Sequence, residues 1–546
     1  MNDLVEGKDG GGSAQRVDKT AAGMHLRPHS ILGTFLLAVL VAQVLSAADS
    51  SQKCRLCHTT ETDRFLNSPM GESIRAGESL PSGMIHHSLS GSTLTIQSRG
   101  ATMQHTVRRG GASASYPVAY SVGAGEVGFS FLIRIGEYLF QSPASYYSRE
   151  KKWDLTPGYE GERLLDFTHE ITSGCLFCHA GAVKLAARSQ DRFIEPALTP
   201  ISCERCHGPS EAHLQNPKAG TILNPAKLSP KVRDSVCEQC HLEGATRVLN
   251  PGREWFDFHP GDLLESVFAT YVRTGGGTAG PNPPAVSQVE QLAQSACARA
   301  SGDKLWCGSC HDPHGPDQAR STRVRNVCLG CHAASLTKVH PEPAGDCVSC
   351  HMPKLRPGDV AHAAITDHRI PRRIESAKNK KGGGVNELVA WRDPDKTIAL
   401  RDLGLAYFET AAEDKDNGEL GRGYDLLSHL APAQLHRDPE TLFALGSILL
   451  EQRQVKLADK FLSEAVKLKP ENPRYTYTWG VALEAKGDFT AAIMELRRSI
   501  GLDPSRPDPY LKLAEIYQRT GSEDLRKSVL REYLRFMPQN LLMRSE

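Results

Sequence analysis

The pattern Cys-x-x-Cys-His occurs seven times in this 546-residue chain and constrains its fold more than any other feature. Two thiols three residues apart lie on one helical turn, so each can form a thioether with one porphyrin vinyl group while the adjacent imidazole reaches the iron. The pattern therefore predicts seven covalently attached haem c groups. The predicted attachment cysteines and proximal histidines are Cys54, Cys57 and His58; Cys175, Cys178 and His179; Cys203, Cys206 and His207; Cys237, Cys240 and His241; Cys307, Cys310 and His311; Cys328, Cys331 and His332; and Cys347, Cys350 and His351.

Zinc sites and disulfides are the alternatives for so many cysteines. Zinc sites pair two CxxC units or join one unit to two spaced histidines, and that chemistry does not require histidine directly after the second cysteine. The recurrence of the complete pattern favours haem. Aromatic residues make up only 6% of the chain, so we expect the porphyrins to form the core of this region and the region not to fold without them.

The N-terminal segment 1–48 has the composition of a secretory signal peptide. A basic stretch that begins at Met24 precedes an apolar run over 31–45 and the small residues at 46–48. We predict cleavage within 46–48, with Met24 as an alternative translation start. The run is short for a membrane span, so an uncleaved anchor is the second-ranked interpretation. The expected location is the bacterial periplasm.

The predicted haem region covers 49–372, and its longest interval without a motif has strand character. Segment 92–98 alternates polar and apolar residues, and glycines separate it from similar segments. We predict a small β-hairpin or meander at about 85–145, packed against the haems. Spacings between the motifs are too uneven for a solenoid, so short helices and loops are expected elsewhere.

The C-terminal part of the chain repeats with a period of 34 residues. Pro470, Pro504 and Pro538 are separated by this step, and so are Gly446 and Gly480. Small residues allow the two helices of a repeat to cross closely, and proline ends the second helix. Segment 398–540 therefore resembles tetratricopeptide repeats (TPRs).

The predicted fold class combines these segments. It is mainly α: a multihaem cytochrome c domain of short helices and loops with a small β-hairpin or meander, followed by an α-α TPR solenoid. The two parts are joined by a basic, Gly-rich segment, 373–397, which is predicted to be a flexible linker.

Residues around several motifs carry a second resemblance. They are Cys203-Glu-Arg-Cys-His-Gly-Pro-Ser-Glu-Ala-His213, Cys307-Gly-Ser-Cys-His-Asp-Pro-His314-Gly and Cys347-Val-Ser-Cys-His-Met-Pro. In these stretches the chain is similar to doubled-CxxCH, cytochrome c-554-like multihaem cytochromes, over roughly residues 50–372. The resemblance implies low-spin haems with histidine on both faces of the iron.

The resemblance also implies where the distal histidines lie. His213 and His314 rank first as distal ligands, His169, His340 and His368 follow, and His259 is weaker. His86, His87, His105 and His362 complete the ten additional histidines between residues 59 and 372, and His362 is expected not to bind iron. For each, the alternative is an ordinary surface or hydrogen-bonded histidine. Cys297, the fifteenth cysteine, is interpreted as a free thiol, with a soft ligand or reactive thiol as alternatives.

Ligand numbers decide between the function classes. A six-coordinate iron has no position for a substrate, and distal histidines are in surplus, which favours electron transfer over catalysis. We therefore expect a periplasmic multihaem c-type cytochrome that carries electrons between redox partner proteins, with the TPRs used for docking or self-association and no catalytic residue assigned. The alternatives are a multihaem oxidoreductase acting on a small nitrogen or sulfur compound at one open-site haem, and a redox sensor. The formal net charge of +1 argues against a nucleic-acid partner.

Overall fold

The structure is a computed structural model that describes residues 50–540 with twelve short gaps. The gaps are 101, 188, 190, 219, 275–283, 316–319, 340–345, 356–359, 361–362, 364, 373–386 and 393–395. The predicted signal peptide, most of the predicted linker and the candidate ligands His340 and His362 lie outside the described residues.

The first strands of the chain join into one antiparallel sheet of nine strands. Seven strands follow the order β2-β3-β4-β5-β6-β8-β9, while β1 pairs with β5 and β7 pairs with β6. Tight turns at Gly91, Gly100 and Gly110, all with positive φ, connect β2 to β5. The strands are β1 (Ile74–Arg75), β2 (Gly83–His87), β3 (Ser92–Arg99), β4 (Thr102–Arg109), β5 (Ala112–Val122), β6 (Gly128–Ile135), β7 (Tyr138–Gln141), β8 (Ala144–Tyr147) and β9 (Lys152–Leu155).

The predicted mainly α fold with a small β-hairpin or meander is wrong. Helix makes up 47% of the chain and strand 19%, and the N-terminal sheet is large and nearly closed. The sheet also has an apolar interior of its own, which includes Ile96, Val107 and Phe131. Alternation in the sequence identifies single strands, but it does not show how many of them join in one sheet. The C-terminal part is helical and TPR-like, as predicted.

Strands β2 and β9 bring the two ends of the sheet together. The Trp153 indole of β9 packs so closely on Gly83 of β2 that an added Cβ would lie 2.1 Å from Trp153 Cδ1. Trp153 Nε1 donates a hydrogen bond to the Pro81 carbonyl at 2.8 Å. Glycine is needed at this position because only a residue without a side chain permits such an approach.

The region that carries the motifs consists of short helices, 3₁₀ turns and small strand pairs. Its helices are α1 (Ser50–Arg55), α2 (Thr59–Leu66), α3 (Ser173–His179), α4 (Glu204–His207), α5 (Glu211–Gln215), α6 (Pro230–His241), α7 (Gln288–Gln294), α8 (Ala296–Ser301), α9 (Cys307–Cys310), α10 (Arg320–Val339) and α11 (Cys347–His351), with 3₁₀ helices at Pro225–Lys227, Trp255–Asp257, Leu264–Ser266 and Gly302–Lys304. Its strands are β10 (Ala182–Leu185), β11 (Phe193–Thr199), β12 (Thr246–Leu249), β13 (Phe268–Arg273), β14 (Lys354–Leu355) and β15 (Ile365–Thr366).

A further strand, β16 (Leu388–Ala390), lies inside the segment predicted as a linker. It pairs antiparallel with β13, which in turn pairs with β12, so that three strands from distant parts of the chain form one sheet. Tyr407, on the helix Lys396–Asp414, accepts a hydrogen bond through its hydroxyl from the Leu388 amide at 3.3 Å. This part of the segment is therefore anchored on both sides.

The C-terminal helices pair as the repeat period predicts. They are α12 (Lys396–Asp414), α13 (Asn417–Ser428), α14 (Pro432–Leu435), α15 (Pro439–Glu451), α16 (Val455–Leu468), α17 (Pro473–Lys486), α18 (Phe489–Leu502), α19 (Asp508–Arg519) and α20 (Glu523–Phe536). A Cβ on Gly446 would lie 2.6 Å from Leu462 Cγ, and one on Gly480 2.9 Å from Leu496 Cγ. The glycines therefore permit the close crossing of each helix pair.

The last repeat packs against the nine-stranded sheet. The rings of Phe536 and Tyr138 meet edge to face at 5.6 Å, and the Gln539 side chain bonds both to the amide and to the carbonyl of Ser115. Leu530 and Tyr533 are buried. The sheet therefore covers the end of the helical array within the same chain.

Candidate haem sites

Each predicted attachment pair lies on or beside a helical turn. Helices α3, α6 and α11 end on a proximal histidine. In three other motifs the histidine amide donates to the first cysteine carbonyl, at 2.8 Å for His58, 2.9 Å for His207 and 2.9 Å for His311. This bond closes one helical turn, so the two thiols and the imidazole of a motif lie side by side.

Three proximal histidines each face one of the predicted distal histidines. The ring centres are 6.3 Å apart for His58 and His213, 6.0 Å for His207 and His314, and 6.2 Å for His311 and His368. The two rings of a pair are inclined by only 24°, 12° and 23° respectively. Two imidazoles on opposite faces of one iron have centres about 6 Å apart, because each metal–nitrogen bond is about 2 Å and the ring centre lies about 1 Å behind the nitrogen. The three pairs fit bis-histidine haem.

Hydrogen bonds at Nδ1 orient several of these rings. Nδ1 of His207 bonds to the Leu223 carbonyl at 2.8 Å, and Nδ1 of His368 bonds to the Thr366 carbonyl at 2.6 Å. Nδ1 of His351 bonds to the Pro371 carbonyl at 2.9 Å. A carbonyl oxygen can only accept a hydrogen bond, so Nδ1 must carry the proton in these contacts. In the neutral imidazole this leaves the Nε2 lone pair for a metal.

Burial favours the neutral form of five of the predicted ligand histidines. It lowers the pKa of His179, His207 and His241, and it lowers the pKa of His311 to about 4. His368 is shifted in the same direction, again mainly by burial. A neutral imidazole is the form that binds a metal, so these positions are suited to iron at neutral pH.

The structure places the other candidate histidines in ordinary hydrogen-bonded surroundings. His169 stacks on Tyr159 at 4.0 Å and lies 3.6 Å from a Glu162 oxygen, and His259 Nδ1 contacts the Asp257 carbonyl. His86 lies 3.5 Å from the Thr93 hydroxyl and His87 2.8 Å from that of Ser90; His105 is buried inside the sheet, 2.7 Å from the Ser142 hydroxyl.

The seven motifs contact one another in a connected network. Thiols of different motifs hydrogen-bond in four pairs: Cys54 with Cys203, Cys178 with Cys240, Cys237 with Cys307, and Cys328 with Cys347. The Gln239 side chain donates to the Arg205 carbonyl at 3.1 Å, and Arg323 of α10 donates to the Cys310 carbonyl at 3.4 Å. These further contacts join the four pairs, so that every motif is linked to the others.

Two residues that the sequence pattern did not reveal hold the fourth motif in place. Arg392 bonds to Glu238, between Cys237 and Cys240, at 2.7 Å, and to Glu265 at 3.0 Å. Trp391 Nε1 lies 3.4 Å from the same Glu238 carboxylate. Both residues belong to the segment predicted as a linker, where a tryptophan was the one signal of a packed contact.

The described residues contain neither a further cluster of metal ligands nor a membrane-spanning helix. No group of three or more His, Cys, Asp or Glu side chains in this part of the chain is arranged to hold a metal ion. No described helix has both the length and the apolar character needed to cross a membrane.

The motifs and the helical repeats are typical of c-type cytochromes and of tetratricopeptide repeats, and three family models of these classes match parts of the chain. Residues 147–208 match the family "Cytochrome c554 and c-prime", and residues 298–336 match "Doubled CXXCH motif". Residues 439–472 match "Tetratricopeptide repeat". The predicted resemblance to a doubled-CxxCH, c-554-like multihaem cytochrome fused to TPRs is confirmed. The matched motifs indicate covalently bound haem c, and the repeats indicate protein docking.

Individual relatives match between 21% and 27% of the chain. The TPR repeat-containing thioredoxin TTL4 of Arabidopsis thaliana is 27% identical over 116 residues, which are 21% of this chain and 17% of that protein. The crystal structure of MamA is 19% identical, with a TM-score of 0.24, over 27% of this chain and 81% of MamA. A Thermobaculum terrenum O-GlcNAc transferase mutant is 20% identical, with a TM-score of 0.24, over 26% of this chain and 27% of that one.

Proposed function

We propose that this protein is a periplasmic seven-haem c-type cytochrome that relays electrons between partner proteins. The observation that carries the proposal is the connected network of contacts among all seven motifs. If each thiol pair adds its S–H groups across the vinyl groups of one haem, the cysteines of neighbouring motifs would hold seven haems in one connected group. Haem c supplies reversible one-electron chemistry at its iron.

The chain's own residues hold the ligands in place. The proposal assigns three axial pairs, His58 with His213, His207 with His314, and His311 with His368, in line with their ring separations of 6.0 to 6.3 Å. Backbone carbonyls orient His207 and His368, the Thr221 hydroxyl orients His213, and the Asp312 carboxylate orients His314. A site that is closed on both faces binds no substrate, and its ligands do not change as the electron passes, which suits a carrier.

The proposed location rests on the predicted signal peptide, and the proposed partner binding rests on the repeats. Predicted cleavage within 46–48 would export the protein to the compartment where haem c is attached, and the TPRs would bind a redox partner.

Exposure to carbon monoxide and nitrite tests the proposal against the oxidoreductase alternative. The fully reduced protein, purified from the periplasm, is mixed with each compound, and its Soret band is followed. A carrier with histidine on both faces shows no rapid spectral change. Rapid binding at one ferrous haem would favour the oxidoreductase, and recovery of the protein from the cytoplasm would contradict the proposed location.

A further inference from the structure

The contact between the second, third and fourth motifs centres on one buried arginine. Arg205 occupies the variable position before Cys206 on α4, and 9% of its surface is exposed. Cys206 follows it directly, and its hydrogen-bond partners Phe177 and Gln239 directly precede Cys178 and Cys240. Arg205 therefore lies where three attachment sites meet.

Arg205 forms hydrogen bonds with the residues that precede the second cysteine in the other two motifs. Arg205 Nη2 donates to the Phe177 carbonyl at 2.7 Å, and the Arg205 carbonyl accepts from Gln239 Nε2 at 3.1 Å. The guanidinium also lies over two aromatic rings, 4.4 Å from the centre of Phe177 and 5.3 Å from that of Phe256. The position of the charge is thus fixed from several sides.

No carboxylate in the described part of the chain forms an ion pair with Arg205, and its buried Nε has no hydrogen-bond partner there. Other buried arginines are compensated: Arg401 bonds to Asp438 and Asp402, and Arg233 to Asp234. An uncompensated cation in a low-dielectric interior acts strongly on neighbouring charges.

We propose that Arg205 is a positioning residue whose fixed charge raises the reduction potentials of the haems at the second, third and fourth motifs. An oxidised haem carries one more positive charge than a reduced one, so a nearby cation favours the reduced form. These three sites then attract electrons from both ends of the network. The inference rests on the proposed electron relay and adds a residue that sets the relative potentials of its haems.

Potentiometric titration of the haem-loaded protein tests this proposal. Arg205→Met removes the charge but keeps an unbranched apolar side chain, and Arg205→Gln keeps a donor for the Phe177 carbonyl. Both variants should lower the midpoint potentials of some of the haems, whereas Arg205→Lys should keep all midpoint potentials near the wild-type values. Arg519→Met, in an exposed ion pair of the repeats, is the control for loss of an arginine elsewhere.

Several results would overturn the proposal. Unchanged potentials in Arg205→Met would show that the charge does not act on the haems. Equal shifts in the Met and Lys variants, or loss of haem in both neutral variants, would show that Arg205 only holds the motifs together. Haem content measured by mass separates these outcomes from a failure of the seven-haem proposal itself.

Discussion

At the residue scale, the paired histidine rings are the most specific result. Three proximal and three distal rings form pairs with nearly the same separation, although the members of each pair are far apart in sequence. In the pair of His58 and His213 the distal ring is oriented by a contact of 2.9 Å between its Nδ1 and the Thr221 hydroxyl. One substitution can therefore remove one ligand without touching an attachment site.

Substitution of His213 by alanine should leave one haem without its distal ligand. We expect one haem's share of the low-spin EPR signal to be replaced by a high-spin signal, and carbon monoxide to bind that haem. His86→Ala, at an exposed histidine that contacts only Thr93 at 3.5 Å, should keep the wild-type spectrum. A fully low-spin His213→Ala protein would contradict the assignment.

Some residue roles can be predicted from the sequence and others cannot. The motif itself predicts the attachment residues, because covalent chemistry requires a fixed local spacing. The pairing of His311 with His368 was not predictable, because it depends on how loops from different parts of the chain return. Arg205 was missed for a related reason: variable positions inside a motif have no pattern, and their role appears only when three motifs meet.

At the element scale, the nine-stranded sheet depends on the meeting of β2 and β9. Trp153 packs among Phe131, Tyr146 and His105, so it has little freedom to move away from Gly83. The local alternation that predicted strands at 92–98 was sufficient for β3. The closure was not predictable, because it is a contact between segments separated by the whole sheet.

A methyl group at Gly83 should test this closure. Gly83→Ala places a Cβ against the Trp153 ring and should destabilise the protein by about 1–3 kcal/mol, as overpacking does. Gly111→Ala, where an added Cβ meets nothing within 4 Å, should change stability by less than about 0.5 kcal/mol. Denaturant titration followed by circular dichroism compares the two variants. Equal midpoints would show that β2 and β9 do not meet as described.

At the scale of the whole molecule, the helical repeats and the cytochrome part form joint contacts at both ends of the array. Arg401 of the first repeat donates to the Leu249 carbonyl of β12 at 3.0 Å, and Gln539 bonds to Ser115 of β5. The repeat period predicted the helices but not these contacts, because docking surfaces have no period. Partner binding to the repeats would therefore act on a structure already attached to the haem region.

A buried carboxyl between the two parts makes their association depend on pH. Burial, with Asp503 and Asp191 nearby, raises the pKa of Glu170 to about 8, although Arg506 and Ser505 act in the opposite direction. Because this value lies above the ordinary one of 4.5, the contribution of Glu170 to stability is fully present below about pH 4.5 and is lost as the pH rises through about 8.

Glu170→Gln should therefore reduce the loss of stability between pH 5 and pH 9. With about 1.4 kcal/mol for each unit of pKa shift, we expect the stability difference between the two pH values to shrink by about 4 kcal/mol relative to the wild type. Thermal unfolding at a series of pH values measures it, with the exposed Glu451→Gln as the control. An unchanged pH profile in Glu170→Gln would show that this carboxyl is ionised in the folded protein at neutral pH.

The mass of the intact, exported protein tests the central claim most directly. The account predicts a chain cleaved within 46–48 that carries seven covalent haem groups, one for each Cys-x-x-Cys-His motif. A mature chain with fewer adducts would break the proposed network at the unfilled motifs. A colourless chain with none would contradict the account of the cytochrome part as a whole.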